Sequence, residues 1–408
     1  MSAAPAPSSW QRTLWVMALS QLITQTAFTL GLPFLPLYLQ DLGVHNPETA
    51  ALWAGASATL SGLGMAFMAP IWGRLADRYG RKAMVLRATF AGAVVVGAMA
   101  TVQGPPALLL LRLLQGMLTG TISASNTLVA DTVPERQLGS SMGLMQTAVF
   151  AGAAGGPLIG GLIADHLGYR LPFAATAALL LLSGLLVLFG SSERRTVRPH
   201  VPVSRVERRV QTRLLWVLLA PVIVVSFLDQ LAGSMVGPVL PLVIADLAGP
   251  HHGNVATLTG TILGSVAVSA SVGALLAGRL SARFAPGRVV AVCAGGAALF
   301  ALAQAFVPSV LLLGMFRVVM GLFIGGTIPA ANVILGALTP PDSRGAAFGL
   351  TASATSLGFA AGPLLGATLV HVGLRAPFLL TALLLALESG WVLWALGRSG
   401  NLEQRRSQ

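Results

Sequence analysis

The sequence contains the same series of motifs twice, in the same order. The segment Gly-Arg-Leu-Ala-Asp-Arg-Tyr that begins at Gly73 returns 205 residues later, at Gly278, as Gly-Arg-Leu-Ser-Ala-Arg-Phe. Further pairs with this spacing are Pro33 and Pro238, Pro36 and Pro241, Asp41 and Asp246, Arg112 and Arg317, Gly116 and Gly321, Gly120 and Gly325, and Arg170 and Arg375. Such a duplication predicts two structural halves, and in a membrane chain it favours a transporter with its site between them.

The composition indicates a membrane protein. Of the 408 residues, 55% are hydrophobic and 9% are charged, and the mean hydropathy is +0.78. A soluble domain carries about 25% charged residues, so one soluble core cannot bury this much apolar surface. Lipid is the expected solvent, and a soluble enzyme is excluded.

Twelve segments are apolar enough to cross a bilayer, which requires about 20 residues of helix. They lie near residues 13–38, 50–72, 83–102, 105–130, 140–164, 171–191, 214–245, 255–278, 287–306, 308–336, 345–370 and 376–396. The predicted fold is an all-α membrane protein with twelve transmembrane helices in two pseudo-symmetric six-helix bundles, at residues 13–191 and 214–396. Because six is even, the two repeats are parallel. The first segment lacks a small-residue cleavage site and is predicted to be a span, not a signal peptide.

The basic residues predict the orientation. The net charge is +12, from 25 Lys and Arg against 13 Asp and Glu, and most basic residues lie in short loops. Cytoplasmic loops are rich in Lys and Arg, so the tails, 1–12 and 397–408, and the linker, 192–213, are expected on the cytoplasmic side of a bacterial inner membrane. The linker carries seven Arg and two Glu, which suits contact with anionic lipids. This loop placement favours topology over nucleic-acid binding as the reason for the charge.

Neither a metal site nor a cofactor is expected. Cys293 is the only cysteine, which excludes an intrachain disulfide and a cysteine metal cluster. A Walker loop needs Lys followed by Ser or Thr, whereas the only lysine is Lys82. Five histidines lie in predicted outward loops, where solvated residues are expected rather than metal ligands: His45, His166, His251, His252 and His371.

The loop between the second and third spans combines glycines with charges. Its members are Gly73, Asp77, Arg78, Gly80, Arg81 and Lys82. The glycines allow a tight turn, Asp77 can meet a helix N-terminus, and the basic residues can pair with Asp77 and with Asp131 of the fourth span. Positive-inside charge alone explains the basic residues but not Asp77, which Ala282 replaces in the second copy.

The fourth span contains an arginine beside small residues, in the series Arg112, Gln115, Gly116 and Gly120. A charge in mid-membrane costs about 2.5–3.5 kcal/mol on insertion scales and is a functional hypothesis by default. Arg317 repeats it in the tenth span. The alternative is a structural arginine bonded to backbone carbonyls.

The fifth span contains the series Gly152, Gly156, Pro157, Gly160 and Gly161. A Gly-Pro step bends a helix, and small residues let it pack tightly against a partner. The second copy, from Gly362-Pro363 to Gly366, is nearly intact. Close packing alone explains both copies.

Acidic residues are few within the spans. Asp229 lies midway along the seventh span, and the repeat aligns Thr24-Gln25 with Asp229-Gln230. We expect Asp229 to bind a proton or a cationic substrate, with Arg317 as its partner. A static ion pair between them is the alternative.

Glu388, in the twelfth span, is a further candidate for that site, with a structural or lipid-facing carboxyl as the alternative.

Prolines are expected to bend the first and seventh spans at Pro33, Pro36, Pro238 and Pro241. Aromatic candidates for a substrate cavity, or for plain packing, are Phe28, Phe34, Tyr38 and Phe316.

Residues 10–396 resemble the major facilitator superfamily, in its twelve-span drug:proton antiporter branch. The resemblance implies a central cavity lined by the first, fourth, seventh and tenth spans, an inner-side latch at the 73–82 loop, proton coupling by the fourth-span Arg112, and an antiporter role for the fifth-span motif. It implies a monomer that exports small amphipathic molecules in exchange for protons by alternating access. The first span lacks a core carboxylate, unlike some drug antiporters, so coupling is expected at Asp229, with Arg112 as modulator.

Three other functions fit the same fold. The chain could import a sugar, a peptide or an organic anion by symport, and the paired Arg112 and Arg317 would suit the anion. The chain could also move a lysolipid or another amphiphile from the bilayer, or act as a membrane sensor that transports nothing.

Overall fold

The computed structural model describes residues 9–193, 205–249, 254–339 and 344–406, and the regular secondary structure in these ranges is helical. The first half contains α1 (Ser9–Gly31), α2 (Leu35–Asp41), α3 (Pro47–Tyr79), α4 (Arg81–Met99), α5 (Pro105–Leu118), α6 (Ile122–Thr132), α7 (Leu138–Leu167) and α8 (Leu171–Gly190). The second half contains α9 (Arg205–Met235), α10 (Leu240–Ala248), α11 (Val255–Ser281), α12 (Pro286–Gln304), α13 (Val310–Leu338), α14 (Arg344–Leu369) and α15 (Ala376–Arg406). These ranges contain no strand, which confirms the all-α class.

The helices lie where the sequence predicts membrane spans. Within the described residues, 10 helical segments are long and apolar enough to cross a membrane. Helix α14 and the shorter pair α5 and α6 lie at the two remaining predicted positions. The chain is therefore a multi-pass membrane protein.

Three predicted spans are interrupted helices. Residues Leu32–Phe34 form a 3-10 turn between α1 and α2, and residues 236–239 form a turn between α9 and α10. Proline has no N–H and a fixed φ, so Pro33 and Pro238 explain these breaks, as the sequence predicts. The break between α5 and α6 was not predicted: Gly120 adopts φ +117° there, a conformation that only glycine adopts readily.

Two boundaries differ from the predicted ones. Helix α9 begins at Arg205, so the end of the predicted linker, 192–213, is helical, while residues 194–204 lie outside the described chain. Helix α15 continues to Arg406 and includes most of the predicted C-terminal tail. Of the predicted N-terminal tail, residues 1–8 also lie outside the described chain.

Packing divides the chain into two compact units. The first unit comprises residues 1–46, 60–198 and 253–264, and the second comprises residues 47–59, 199–252 and 265–408. Helix α3 therefore begins in the second unit and continues in the first, and α11 does the reverse. The bundles predicted at 13–191 and 214–396 differ from these units by those two helix ends.

Glycines bring one helix pair into close contact in each unit. In the first unit, a Cβ at Gly152 would lie 2.6 Å from the carbonyl oxygen of Leu22, and a Cβ at Gly160 would collide with the carbonyl of Leu30. Helix α7 thus packs directly on the α1 backbone. In the second unit α14 packs on α9 in the same way, through Gly358, Gly362 and Gly366 against Phe227, Leu231 and Met235.

Large apolar side chains cover much of the outside of the helices. Examples with at least half of the side chain exposed are Phe67, Val94, Leu110, Phe189, Leu275, Val292, Leu299 and Leu311. A surface of this kind is costly in water, and bilayer lipid would cover it.

Candidate functional site

Asp229 lies inside the second unit, on α9. Its side chain is 6% exposed, and its Oδ1 accepts a hydrogen bond of 2.6 Å from the Thr327 hydroxyl on α13. The same hydroxyl lies 2.7 Å from the carbonyl oxygen of Ile324. A hydroxyl has one hydrogen to donate, so it can serve only one of these acceptors at a time.

Glu388 lies on α15, where its side chain is fully buried, with 0% exposed. Neither carboxylate oxygen has a hydrogen-bond partner within the described chain. Asp229 is close enough to act on it electrostatically. The lipid-facing position that the sequence left open for Glu388 is therefore wrong, because α9 and α12 pack around α15.

The two predicted intramembrane arginines are each held by a glutamine. On α5, Arg112 is 6% exposed and donates a hydrogen bond of 2.5 Å from Nη1 to Oε1 of Gln115. On α13, Arg317 is 8% exposed and donates one of 3.2 Å to Oε1 of Gln304, which lies on α12. In both arginines Nε has no hydrogen-bond partner among the described residues.

The expected pairing of Arg317 with Asp229 is not found. Both residues are described, and Arg317 bonds to Gln304 while Asp229 accepts from Thr327. Thr327 lies ten residues after Arg317 on α13, which separates them by about 15 Å along a helix with 1.5 Å rise per residue. The error arose because the sequence suggests that both groups lie in mid-membrane but does not give their depths.

The glutamines aligned by the repeat occupy matching places. Gln25 and Gln230 are half-buried, and the Cβ of each faces a glycine, Gly152 and Gly358 respectively. Their backbone carbonyls accept hydrogen bonds from Thr29 and Ser234.

The predicted cavity aromatics have different roles. Phe34 and Tyr38 are fully buried, and the Tyr38 hydroxyl donates to the Met99 carbonyl at 2.7 Å, so both are core residues. Phe316 packs edge-on against Phe300 at 5.9 Å between ring centroids. Phe28 lines a small cavity in the first unit, together with Ala27, Gly31, Leu32, Val96, Gln115, Phe173 and Thr176.

The charged segment 73–82, predicted as a loop, is helical except at Gly80, which separates α3 from α4, and it is bound within the first unit. The Nε of Arg81 lies 3.9 Å from Oδ2 of Asp131, the pairing that the sequence predicts. The guanidinium of Arg78 lies 5.4 Å from the ring centroid of Tyr79. Gly80 has φ +98°, which a residue with a side chain rarely adopts. The Asp77 side chain lies outside the described residues.

Glu193 anchors this segment, and sequence reasoning missed it. Its carboxylate accepts hydrogen bonds from the backbone N–H groups of Arg81, at 2.5 Å, and Lys82, at 3.1 Å, at the first turn of α4. The Lys82 ammonium donates to the carbonyls of Leu188 and Ser191 at 2.8 and 2.6 Å. A carboxylate at a helix N-terminus accepts hydrogen bonds from unpaired N–H groups, and its negative charge is stabilised by the positive end of the helix dipole.

The fifth-span motif lies on α7, which remains one helix although Pro157 is inside it. Gly152, Gly156 and Gly160 face α1, whereas a Cβ at Gly161 would collide with the Ala256 carbonyl at the start of α11. The motif therefore packs against α1 and against the part of α11 that belongs to the first unit. Gly73, near the end of α3, has open space around it.

Asp165, near the end of α7, was also missed from the sequence. Its carboxylate accepts hydrogen bonds from the N–H groups of Ala256, at 3.1 Å, and Thr257, at 2.6 Å, in the first turn of α11. Nearby, burial, with smaller effects from Asp165 and Asp41, raises the pKa of Tyr169 to about 12. Tyr169 is therefore uncharged at neutral pH.

The described histidines form no metal site. His371 lies 2.7 Å from Glu48 in the second unit, with both side chains about half exposed. No group of three or more His, Cys, Asp or Glu within the described residues could hold a metal ion. His251 and His252 lie outside the described chain.

The chain is similar to known proteins over nearly its whole length. The family model described as Major Facilitator Superfamily matches twice, at residues 17–223 and 222–407. The multidrug resistance protein MdtG of Klebsiella pneumoniae (strain 342) is 35% identical over 388 residues, which cover 94% of this chain and 93% of that protein. MdtG of Yersinia enterocolitica is 33% identical over 413 residues, covering 100% and 98%.

Solved structures show the same fold. A bacterial homologue of the human lysosomal transporter Spinster matches with a TM-score of 0.75 at 14% identity, over 96% of this chain and 97% of that one. A D-xylose-proton symporter matches with a TM-score of 0.73 at 18% identity, over 94% and 97%. At these identities the likeness concerns the fold alone.

Proposed function

The chain belongs to the major facilitator superfamily of membrane transporters, and on that premise we propose that it exports small amphipathic molecules, drugs among them, in exchange for protons. Alternating access exposes the substrate site to one side of the membrane and then the other. Nearly full-length similarity to multidrug resistance proteins supports export. The observation that carries proton coupling is the buried Asp229 with its hydrogen bond to Thr327.

Asp229 is suited to take up and release a proton. An ionised carboxylate is costly in a buried site unless it is hydrogen-bonded, and Thr327 supplies one bond to the charged form. When Asp229 is protonated, its own O–H can donate to Thr327 Oγ1, while the Thr327 hydrogen turns to the Ile324 carbonyl, 2.7 Å away. The Thr327 hydroxyl thus has a partner in both states, but its bond to the ionised carboxylate is the stronger one, because a hydrogen bond to a charged acceptor is about twice as strong as one between neutral groups.

Proton uptake and substrate binding then drive the cycle. A proton from the outer side neutralises Asp229 and favours one conformation, and the substrate favours another. Each can shift the equilibrium only by its differential affinity for the two states. Arg112, without a carboxylate partner within the described residues, adds positive potential inside the protein. The charged segment 73–82, with Asp131, restrains the cycle on the inner side.

The charge pattern supports a proposal for the orientation in the membrane. We place both termini on the cytoplasmic side of a bacterial inner membrane, because the basic loops and the linker fall on one side. Anionic lipids are the expected contact of the linker, and the transporter works as a monomer. No cofactor is required for proton-driven exchange.

Proteoliposome flux of the purified protein tests this function. Under an imposed proton gradient, a panel of cationic, neutral and anionic amphiphilic dyes should include some that move against the direction of proton flow. Asp229→Asn should abolish gradient-driven movement, while Asp246→Asn, the same change at an exposed aspartate of α10, should not. Dye movement in the same direction as protons would contradict antiport.

A second candidate is proton-coupled symport of a small anionic solute. The observation that favours it is that Arg112 and Arg317 are buried with glutamine partners, so two positive charges remain without a neutralising carboxylate among the described residues. In the same flux experiment, symport predicts uptake of anions with protons, and loss of that uptake in Arg112→Gln.

A further inference from the structure

We propose that Asp229 and Glu388 form one carboxylate pair that holds at least one proton through the transport cycle, so that Glu388 is a second proton-binding residue. The inference rests on the proposed function and extends it to a residue of the last helix.

The internal repeat locates the pair. With the offset of 205 residues, Thr24 corresponds to Asp229 and Ser183 to Glu388. In the first unit, the Thr24 and Ser183 hydroxyl oxygens lie 2.8 Å apart and share a hydrogen bond between α1 and α8. Two carboxyl groups therefore stand in the second unit where two neutral hydroxyls face each other in the first.

The backbone contacts around the two places agree, which supports the correspondence. Thr176 donates to the Ala27 carbonyl on α1 at 2.8 Å. Its equivalent, Thr381, lies 3.5 Å from the Ala232 carbonyl, the equivalent acceptor on α9. The bonds from Thr29 to Gln25 and from Ser234 to Gln230 form a further matching pair, at 2.8 and 2.7 Å.

Among the described residues, neither carboxyl group is paired with a cation. The charge of Asp229 acts on Glu388. Cys293, on α12, is close enough to both carboxyl groups to be affected by their charges. The helices that pack around the pair carry two other titratable groups among their described side chains, Arg288 and Arg317. Arg317 is hydrogen-bonded to Gln304. The described side chains of α14 include no titratable group.

Two neighbouring carboxylates in a low-dielectric site cannot both be ionised without a large free-energy cost. Asp229 has a hydrogen-bond donor, Thr327, for its ionised form. Glu388 has no partner for either oxygen within the described chain, so the neutral acid is the form that its surroundings tolerate. Glu388 therefore holds a proton when Asp229 is ionised, and the pair takes up a second proton from the outer side and releases it inside.

Infrared spectroscopy of the purified transporter tests the pair without a substrate. Protonated carboxyl groups absorb at a different frequency from carboxylates. At a pH above the midpoint of dye flux, where Asp229 is ionised, the wild-type protein should therefore still show a protonated-carboxyl band. Glu388→Gln, which keeps the side-chain volume, should lose that band, whereas Asp246→Asn should retain it. Absence of the band in the wild type, or its persistence in a folded Glu388→Gln protein, overturns the proposal.

Transport assays separate this proposal from the proposed function. Glu388→Gln should change the pH dependence of gradient-driven dye flux, while Asp229→Asn abolishes coupling. If Asp229→Asn abolishes coupling and Glu388→Gln has the wild-type pH profile and band, the pair is wrong and the proposed function stands. If coupling persists in Asp229→Asn, the proposed function itself fails.

Discussion

The Thr327 hydroxyl and the Asp229 carboxyl group lie 2.6 Å apart on two helices, α13 and α9, inside the second unit. Thr327 is fully buried, and its other neighbour is a carbonyl on its own helix. A single hydroxyl therefore links the state of the carboxyl group to α13. The corresponding residue of the first half is Ile122, so this link belongs to one half of the repeat.

Thr327→Val should move the pH dependence of transport to higher pH. The substitution removes a hydrogen bond to the charged form of Asp229, and such bonds contribute about 1.5–3 kcal/mol. Because 1.36 kcal/mol corresponds to one pH unit, the midpoint should rise by about one to two units. The measurement is dye flux in proteoliposomes across a pH series. Thr259→Val, at a fully buried threonine whose hydroxyl bonds to the Val255 carbonyl of its own helix, should leave the midpoint in place.

Glu193→Ala should destabilise the first unit by about 0.5–2 kcal/mol, the usual cost of losing a helix N-terminal acceptor. The carboxylate accepts from two backbone N–H groups at the start of α4. Thermal unfolding in detergent measures the loss. Glu193→Gln keeps a neutral acceptor and should retain part of the stability. Equal stability of all three proteins would show that this contact contributes nothing.

Gly160→Ala should disrupt the contact of α7 with α1. The added methyl group would collide with the Leu30 carbonyl, and overpacking of this kind costs about 1–3 kcal/mol or more. Gly155→Ala is the matched control, because no atom lies within 4 Å of a Cβ there. We expect low yield and lost transport for the first variant, and normal transport with unchanged or higher stability for the second. A stable, active Gly160→Ala protein would contradict the packing.

Asp165→Ala should loosen the start of α11 within the first unit. Two N–H groups lose their acceptor, which costs about 0.5–2 kcal/mol at a helix N-terminus. Hydrogen exchange of residues 255–260 should become faster, whereas Asp246→Ala should not change it. Protection equal to that of the wild type in Asp165→Ala would refute the capping role.

The sequence predicts features that depend on neighbouring residues better than contacts between residues far apart in the chain. The proline breaks at Pro33 and Pro238 depend on local backbone chemistry, and the sequence predicts both. Arg81 and Asp131 could be paired because both lie at predicted inner ends of spans. The contacts of Glu193 with Arg81 and of Asp165 with Thr257 join residues 112 and 92 positions apart, and no local pattern marks them.

Depth in the membrane was the other quantity that the sequence did not supply. Arg317 and Asp229 were expected to pair because both lie within spans, yet each has another partner. Thr327 carries no charge and sits among apolar residues, so only the position of α13 against α9 identifies it. The symmetry of the repeat is the signal that could have paired Glu388 with Asp229, through the neutral contact of Ser183 with Thr24.

Substrate-evoked proton movement in proteoliposomes tests the central claim, that Asp229 carries the coupled proton, most directly. A dye that the wild-type protein exports is added, and a trapped pH indicator reports proton flow. Asp229→Asn should be folded and inserted but should show no dye-evoked proton movement, while Asp246→Asn behaves as the wild type. Proton movement at the wild-type rate in Asp229→Asn would contradict the account.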